Sequence, residues 1–82
     1  MIDEIRAVLK EHGRLSVDAA TCGERNDLYA AGMTSQASVN VMLALEDAFD
    51  VEFPDRMLKR SVFESVASIR AALTELSPGL AA

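Results

Sequence analysis

Apolar side chains recur at helical spacing in three stretches of the chain, and polar residues fill the turns between them. In the first stretch Ile2, Ile5, Val8 and Leu9 line one side, with Asp3, Glu4, Arg6, Lys10 and Glu11 on the other. Gly13 stops this helix, and Lys10 and His12 place cations in its last turn, where they offset the helix dipole. The pattern predicts a helix over about residues 2–12. From Gly13 to Thr34 the periodicity disappears, and Ser16, Asp18, Thr21, Gly23, Glu24 and Asn26 set the character. So long a stretch without a long element is either functional or pinned by its own side chains. The expected pins are Leu15, Val17, Leu28 and Tyr29.

The second helix is expected to open at Ser35 as N-cap, after the turn residue Gly32. Gln36 to Phe49 contains neither Gly nor Pro, and Val39, Met42, Leu43, Leu45, Ala48 and Phe49 give it a wide apolar surface. Glu46 and Asp47 stand near its C-terminal end, where acids oppose the dipole, so they are expected to contact something else. Pro54 closes this region, and a single helical turn is expected over Asp55 to Lys59. Val66, Ile69, Ala72, Leu73 and Leu76 then form the seam of a last helix. Ser61-Val62-Phe63-Glu64 reads as a capping box, but Ser65, one residue before the apolar run, is the preferred cap. Ser77-Pro78-Gly79 ends the helix, and the tail from about residue 77 is expected to fray. The fold expected is all-α: a small antiparallel four-helix bundle, three helices long and one short, with a long loop after the first. It forms one domain over residues 1–82.

Composition agrees with helices. Of 82 residues 50% are hydrophobic but only 5% aromatic, with no Trp, whereas a small β-sandwich wants more aromatic and β-branched residues. The net charge of −5 repels phosphate backbones and anionic lipid surfaces, which argues against nucleic acid and membrane and for a protein partner with basic groups. One cysteine cannot form an internal disulfide, no stretch is long and apolar enough to span a membrane, and Met1 to Ile5 lacks a signal-peptide pattern. A cytoplasmic monomer is the expectation.

Catalytic chemistry finds little to work with. His12 and Cys22, each the only one of its kind, cannot build a metal site, and four glycines form no phosphate loop. His12 reads as a helix-terminal surface residue, Cys22 as an incidental thiol, and Glu46 with Asp47 as a solvated acidic pair. No residue is assigned to catalysis, and the chain is not expected to be an enzyme. Ser35 stands apart, because its hydroxyl lies at the start of a long helix, where backbone N–H groups and the dipole favour an attached anion.

Asp27-Leu28-Tyr29-Ala30-Ala31-Gly32-Met33-Thr34-Ser35, then Val39, then Ala44 to Asp55, resemble an acyl carrier protein. That family shows D-L-x-x-x-G-x-D-S-L followed by a helix ending in L-E-E-x-F-x-[IV]-x-[IFL]-P, and the spacing here matches without a gap. Phe63-Glu64-Ser65-Val66 is similar to the family's entry into its last helix. The resemblance implies a 4′-phosphopantetheine arm on Ser35, whose terminal thiol carries a carboxylic cargo as a thioester, and a phosphopantetheinyl transferase that attaches it. Departures from the family pattern are informative. Thr34-Ser35-Gln36 replaces Asp-Ser-Leu, Ser38 and Asn40 stand where acids are usual, and Arg56, Lys59 and Arg60 follow. Enzymes of fatty-acid synthesis should therefore bind this chain poorly.

The altered face looks most like free-standing bacterial aminoacyl carrier proteins. That likeness implies loading, with glycine or alanine favoured, by an amino acid:carrier protein ligase resembling a seryl-type tRNA synthetase core, and a downstream acceptor enzyme. Partner contacts are then expected at Thr34, Gln36, Ala37, Val39, Asn40, Met42, Arg56 and Lys59. Two alternatives stand beside it: a carrier of fatty, polyketide or peptide-synthetase intermediates, and an unmodified helical adapter.

Overall fold

The computed structural model describes residues 2–77. Its helices are α1 (Ile2–His12), α2 (Ser35–Phe49), α3 (Arg60–Phe63) and α4 (Val66–Leu76), with a 3-10 turn at Asp55–Met57. No strand occurs among the described residues. The first and last helices run where their periodicity places them. The short helix does not: Asp55–Met57 closes only a 3-10 turn, and the four-residue helix starts at Arg60. The expected fraying of the tail falls largely on residues 78–82, outside the described residues, while Ser77 caps α4.

Each helix end has a local cause. The Gly13 N–H donates to the Leu9 carbonyl at 2.8 Å, and a Cβ at Gly13 would lie 2.7 Å from that same oxygen, so only glycine fits there. Helix α2 ends at Asp50 in the left-handed region, φ 53°, with the Val51 N–H returned to the Glu46 carbonyl. Ser65 caps α4 as the sequence suggests. Its hydroxyl accepts from the Ser68 N–H, and the Ser68 hydroxyl accepts from the Ser65 N–H, both at 3.1 Å.

Helix α1 packs against α2 and α4, and α3 packs against α4. Ile5, Leu9, Leu28, Val41, Leu45, Val66, Ile69 and Leu73 are fully buried, and Phe53 meets Phe63 edge-to-face at 5.3 Å. The buried face of α2 is Ala37, Val41 and Leu45. Of the wide apolar surface expected on this helix, Leu45 is in the core, while Val39 and Leu43 are 50% and 54% exposed and Ala48 is exposed too.

The segment between α1 and α2 is pinned, though not by all the expected residues. Leu28 is buried, Leu15 and Tyr29 are half-buried, and Val17 is exposed; Ala19, Cys22 and Met33 go into the core. Cys22 is thus a buried core residue, with its sulfur near the Ala19 carbonyl. Arg6, on the polar side of α1, reaches across and donates through Nη1 to the carbonyls of Ala19 at 2.8 Å and Cys22 at 2.6 Å. Asp18 Oδ1 accepts from the Ala20 N–H and Asp27 Oδ1 from the Tyr29 N–H, both at 2.9 Å, so each holds a turn. Two backbone bonds tie the segment to the entry of α4: Leu28 N–H to the Glu64 carbonyl at 2.7 Å and Ala67 N–H to the Glu24 carbonyl at 2.8 Å. No helix among the described residues is long and apolar enough to cross a membrane.

Candidate functional site around Ser35

The last turn before α2 sets where Ser35 sits. Gly32 has φ +112°, and the Ser16 N–H and hydroxyl both donate to the Ala31 carbonyl at 2.7 Å, which fixes the approach of the chain. Thr34, in extended backbone, is the N-cap: its Oγ1 accepts from the Ala37 N–H at 3.0 Å. Ser35 is therefore the first helical residue and not the cap, a shift of one position from the sequence expectation. Thr-Ser offers two adjacent cap-competent side chains, and Thr34 takes that role. The Ser35 side chain is exposed and makes no hydrogen bond among the described contacts, while its carbonyl accepts from the Ser38 hydroxyl at 2.6 Å. The first turn of α2 contains no acidic residue, so the positive end of its dipole is uncompensated by the protein.

Ser35 stands on the rim of a surface cavity of about 300 Å3, lined also by Tyr29, Ser38, Val39, Met42, Leu58, Lys59, Arg60 and Phe63. Phe63 is its buried floor, and Lys59 and Arg60 are its only charged lining residues. The Arg60 guanidinium lies 4.2 Å from the centroid of the Tyr29 ring, a contact worth about 0.5–1 kcal/mol at an exposed site. On the other side of Ser35 a second depression is lined by Arg14, Thr34, Gln36, Ala37 and Asn40.

The residues expected to contact partners fall into three groups. Val39, Met42 and Lys59 border the first cavity with Ser35; Thr34, Gln36 and Asn40 border the second. Ala37 also borders the second depression, although at 2% exposure most of its methyl is in the core. Arg56 points elsewhere, bonding Glu75 on α4 at 2.9 Å. Tyr29, Ser38, Leu58, Arg60 and Phe63 also surround Ser35. Sequence spacing could not bring Tyr29 or Phe63 there, because each lies on a different segment. Glu46, expected to contact something else, turns to its own chain, its Oε2 accepting from the Phe53 N–H at 2.8 Å. No group of three or more metal-ligating side chains occurs among the described residues.

An exposed serine hydroxyl at a helix start, with a helix N-terminus, two cations and an apolar wall beside it, suits an attached phosphate ester with a flexible tail. The profile of the family described as phosphopantetheine attachment site matches residues 3–74, and the chain belongs to that family, whose cofactor is 4′-phosphopantetheine. It is homologous to the aminoacyl carrier protein of Agrobacterium fabrum strain C58, with 48% identity over 65 residues, 79% of this chain and 78% of that protein. Solved structures agree. A carrier protein from Agrobacterium tumefaciens, crystallised with an engineered Bradyrhizobium japonicum glycine:carrier protein ligase and AMP, matches with TM-score 0.87 and 43% identity over 90% of this chain and 99% of that one. The corresponding complex with ATP gives a TM-score of 0.88 and 41% identity over 92% and 97%.

Proposed function

We propose that this chain is an aminoacyl carrier: Ser35 bears the phosphopantetheine arm, and a separate ATP-dependent ligase loads the arm with a small amino acid, glycine or alanine. When bound, the arm supplies a thiol that holds the cargo as an activated thioester. The chain's own residues have simpler tasks. Thr34 caps α2 and leaves the Ser35 hydroxyl unengaged, and the α2 N-terminus with Lys59 and Arg60 receives the phosphate charge. The observation that carries the reading is the exposed Ser35 at the first position of α2, within a chain homologous to aminoacyl carrier proteins. The glycine:carrier protein ligase complexed with its structural relatives supports the choice of loading partner. In this reading the chain is not a catalyst; it acts as a cytoplasmic monomer that meets a phosphopantetheinyl transferase, the ligase and a downstream acceptor in turn.

Intact-mass spectrometry after incubation with a broad-specificity transferase and coenzyme A tests it. One phosphopantetheine on the wild type and none on Ser35→Ala is expected, followed by a glycyl or alanyl adduct when ligase, ATP and the amino acid are added. A wild-type chain left unmodified by the transferase and by its native host would overturn the reading.

A further inference from the structure

Arg6, Arg56 and Arg70 each find oxygen acceptors within the fold. Arg6 donates to the carbonyls of Ala19 and Cys22, Arg56 pairs with Glu75 at 2.9 Å, and Arg70 stands 3.5 Å from Glu24. Arg60 is held in another way. Its guanidinium lies over the Tyr29 ring, 4.2 Å from the centroid, with no carboxylate at ion-pair distance among the described residues. A guanidinium set over an aromatic face keeps its N–H donors pointing outward in its own plane. Tyr29 thus covers one face of Arg60 and leaves the edge available, and both residues line the cavity that Ser35 borders.

Anchored segments carry both halves of this pair. The Leu28 N–H donates to the Glu64 carbonyl at 2.7 Å, which fixes the residue before Tyr29 against the end of α3. Asp27 Oδ1 accepts from the Tyr29 N–H at 2.9 Å, and the Gly32 N–H donates to the Tyr29 carbonyl at 3.1 Å. Arg60 is the first residue of α3, and Phe63, one turn on, is packed edge-to-face on Phe53. Lys59 is a contrast. It precedes α3 and borders both the Ser35 cavity and a groove shared with Arg56 and Glu75, with no aromatic or ionic contact among the described residues.

We propose that Arg60 grips the phosphodiester joining Ser35 to its arm through the edge of its guanidinium, and that Tyr29 is the positioning residue that presents it. The inference rests on the function proposed above and goes beyond its general placement of positive charge. A planar fork at one fixed place, and not charge alone, orients the first bonds of the arm. The two non-bridging oxygens of a phosphodiester are the acceptor pair that such a fork matches. The grip directs the arm to the cavity side of Ser35 and away from the depression lined by Arg14.

Phosphorus NMR reads this contact without any partner enzyme. The full chain is armed with a broad-specificity transferase and coenzyme A, and the same armed chain unfolded in urea is the reference. The wild-type resonance should be displaced from the reference and relax faster. Arg60→Gln should lose most of that displacement, and so should Arg60→Lys, because an ammonium keeps the charge but not the fork. Tyr29→Leu should also lose most of it, while Tyr29→Phe should keep it, since the ring and not the hydroxyl holds the guanidinium. Lys59→Gln should keep it as well. Melting curves on the same samples verify folding, and the Arg60 variants, at an exposed position, decide the matter even where Tyr29→Leu does not fold. Equal displacement in the wild type and Arg60→Gln, full retention in Arg60→Lys, or a loss in Lys59→Gln as large as in Arg60→Gln overturns the grip while the carrier function stands. A wild type that the transferase does not arm is the separate result that overturns the carrier function, and the grip with it.

Discussion

Replacing Arg6 by Met isolates the contact that holds the segment between α1 and α2. Met keeps an apolar stem of similar length and removes the Nη1 donor that serves the carbonyls of Ala19 and Cys22. Hydrogen bonds from a charged donor contribute about 1.5–3 kcal/mol each. Arg6 is only half-buried, so the lower end applies, and part of the gain offsets the ordering of a long side chain. The net loss should be about 2–3 kcal/mol, a large fraction of the roughly 4–12 kcal/mol expected of a chain this size. At about 4–8 °C per kcal/mol, the melting midpoint should fall by about 8–24 °C in a circular-dichroism melt. A second readout is local. Cys22 is 7% exposed in the intact fold, so its thiol should react slowly with a disulfide reagent and much faster in the variant at a temperature where α2 is still helical. A drop smaller than about 4 °C with unchanged thiol reactivity would refute the argument, and the segment would then be held by its buried apolar residues and by its backbone bonds to the entry of α4.

Two further outcomes follow from the start of α2. Thr34→Ala should cost about 1 kcal/mol in urea unfolding, and Ser35→Ala should cost nothing measurable, because the first hydroxyl caps the helix and the second is unengaged; equal costs would mean that the cap is shared. Attachment of the phosphate ester at Ser35 should raise stability by about 0.3–1 kcal/mol at low salt and by much less in about 1 M salt, since α2 has no acid in its first turn; a salt-independent gain would assign the effect to contacts of the arm and not to the dipole.

The helices were legible where one face alone is apolar. α1 and α4 have a single stripe, and both run where the stripe places them. α2 was legible as a helix but not in its orientation. Val39, Val41, Met42, Leu43 and Leu45 put apolar residues around most of its circumference, so periodicity alone cannot choose which of them the core takes. The core takes Ala37, Val41 and Leu45, and Ala37 is small enough to pass for a surface residue. Four residues of α3 are too few to show any period. The pinned segment was opaque for a different reason. Its main tie is a charged side chain on what reads as the solvent side of α1, bonded to backbone carbonyls that no sequence pattern marks. Ser35 was singled out in the sequence because its spacing to Val39, Glu46 and Pro54 resembles that of acyl carrier proteins. Its cavity was not, since Tyr29, Leu58, Arg60 and Phe63 come from segments whose approach depends on the Leu28–Glu64 and Ala67–Glu24 backbone bonds.

Net charge describes the whole chain, whereas a docking surface feels only the charges near it. A total of −5 points to a basic partner only if a docking surface feels the whole chain. Screening at physiological salt cuts interactions off over about 8 Å, while this molecule extends 32 × 25 × 19 Å. A protein that approaches Ser35 therefore meets mainly Arg14, Lys59, Arg60 and an uncharged stretch of α2. The nearest acid on α2 is withdrawn by a structural task, since Glu46 holds the turn after the helix through the Phe53 N–H. Removing acids from the first ten residues of α2 thus does two things at once. It leaves the dipole open for the phosphate on Ser35, and it leaves Lys59 and Arg60 as the charged side chains that line the cavity beside that serine.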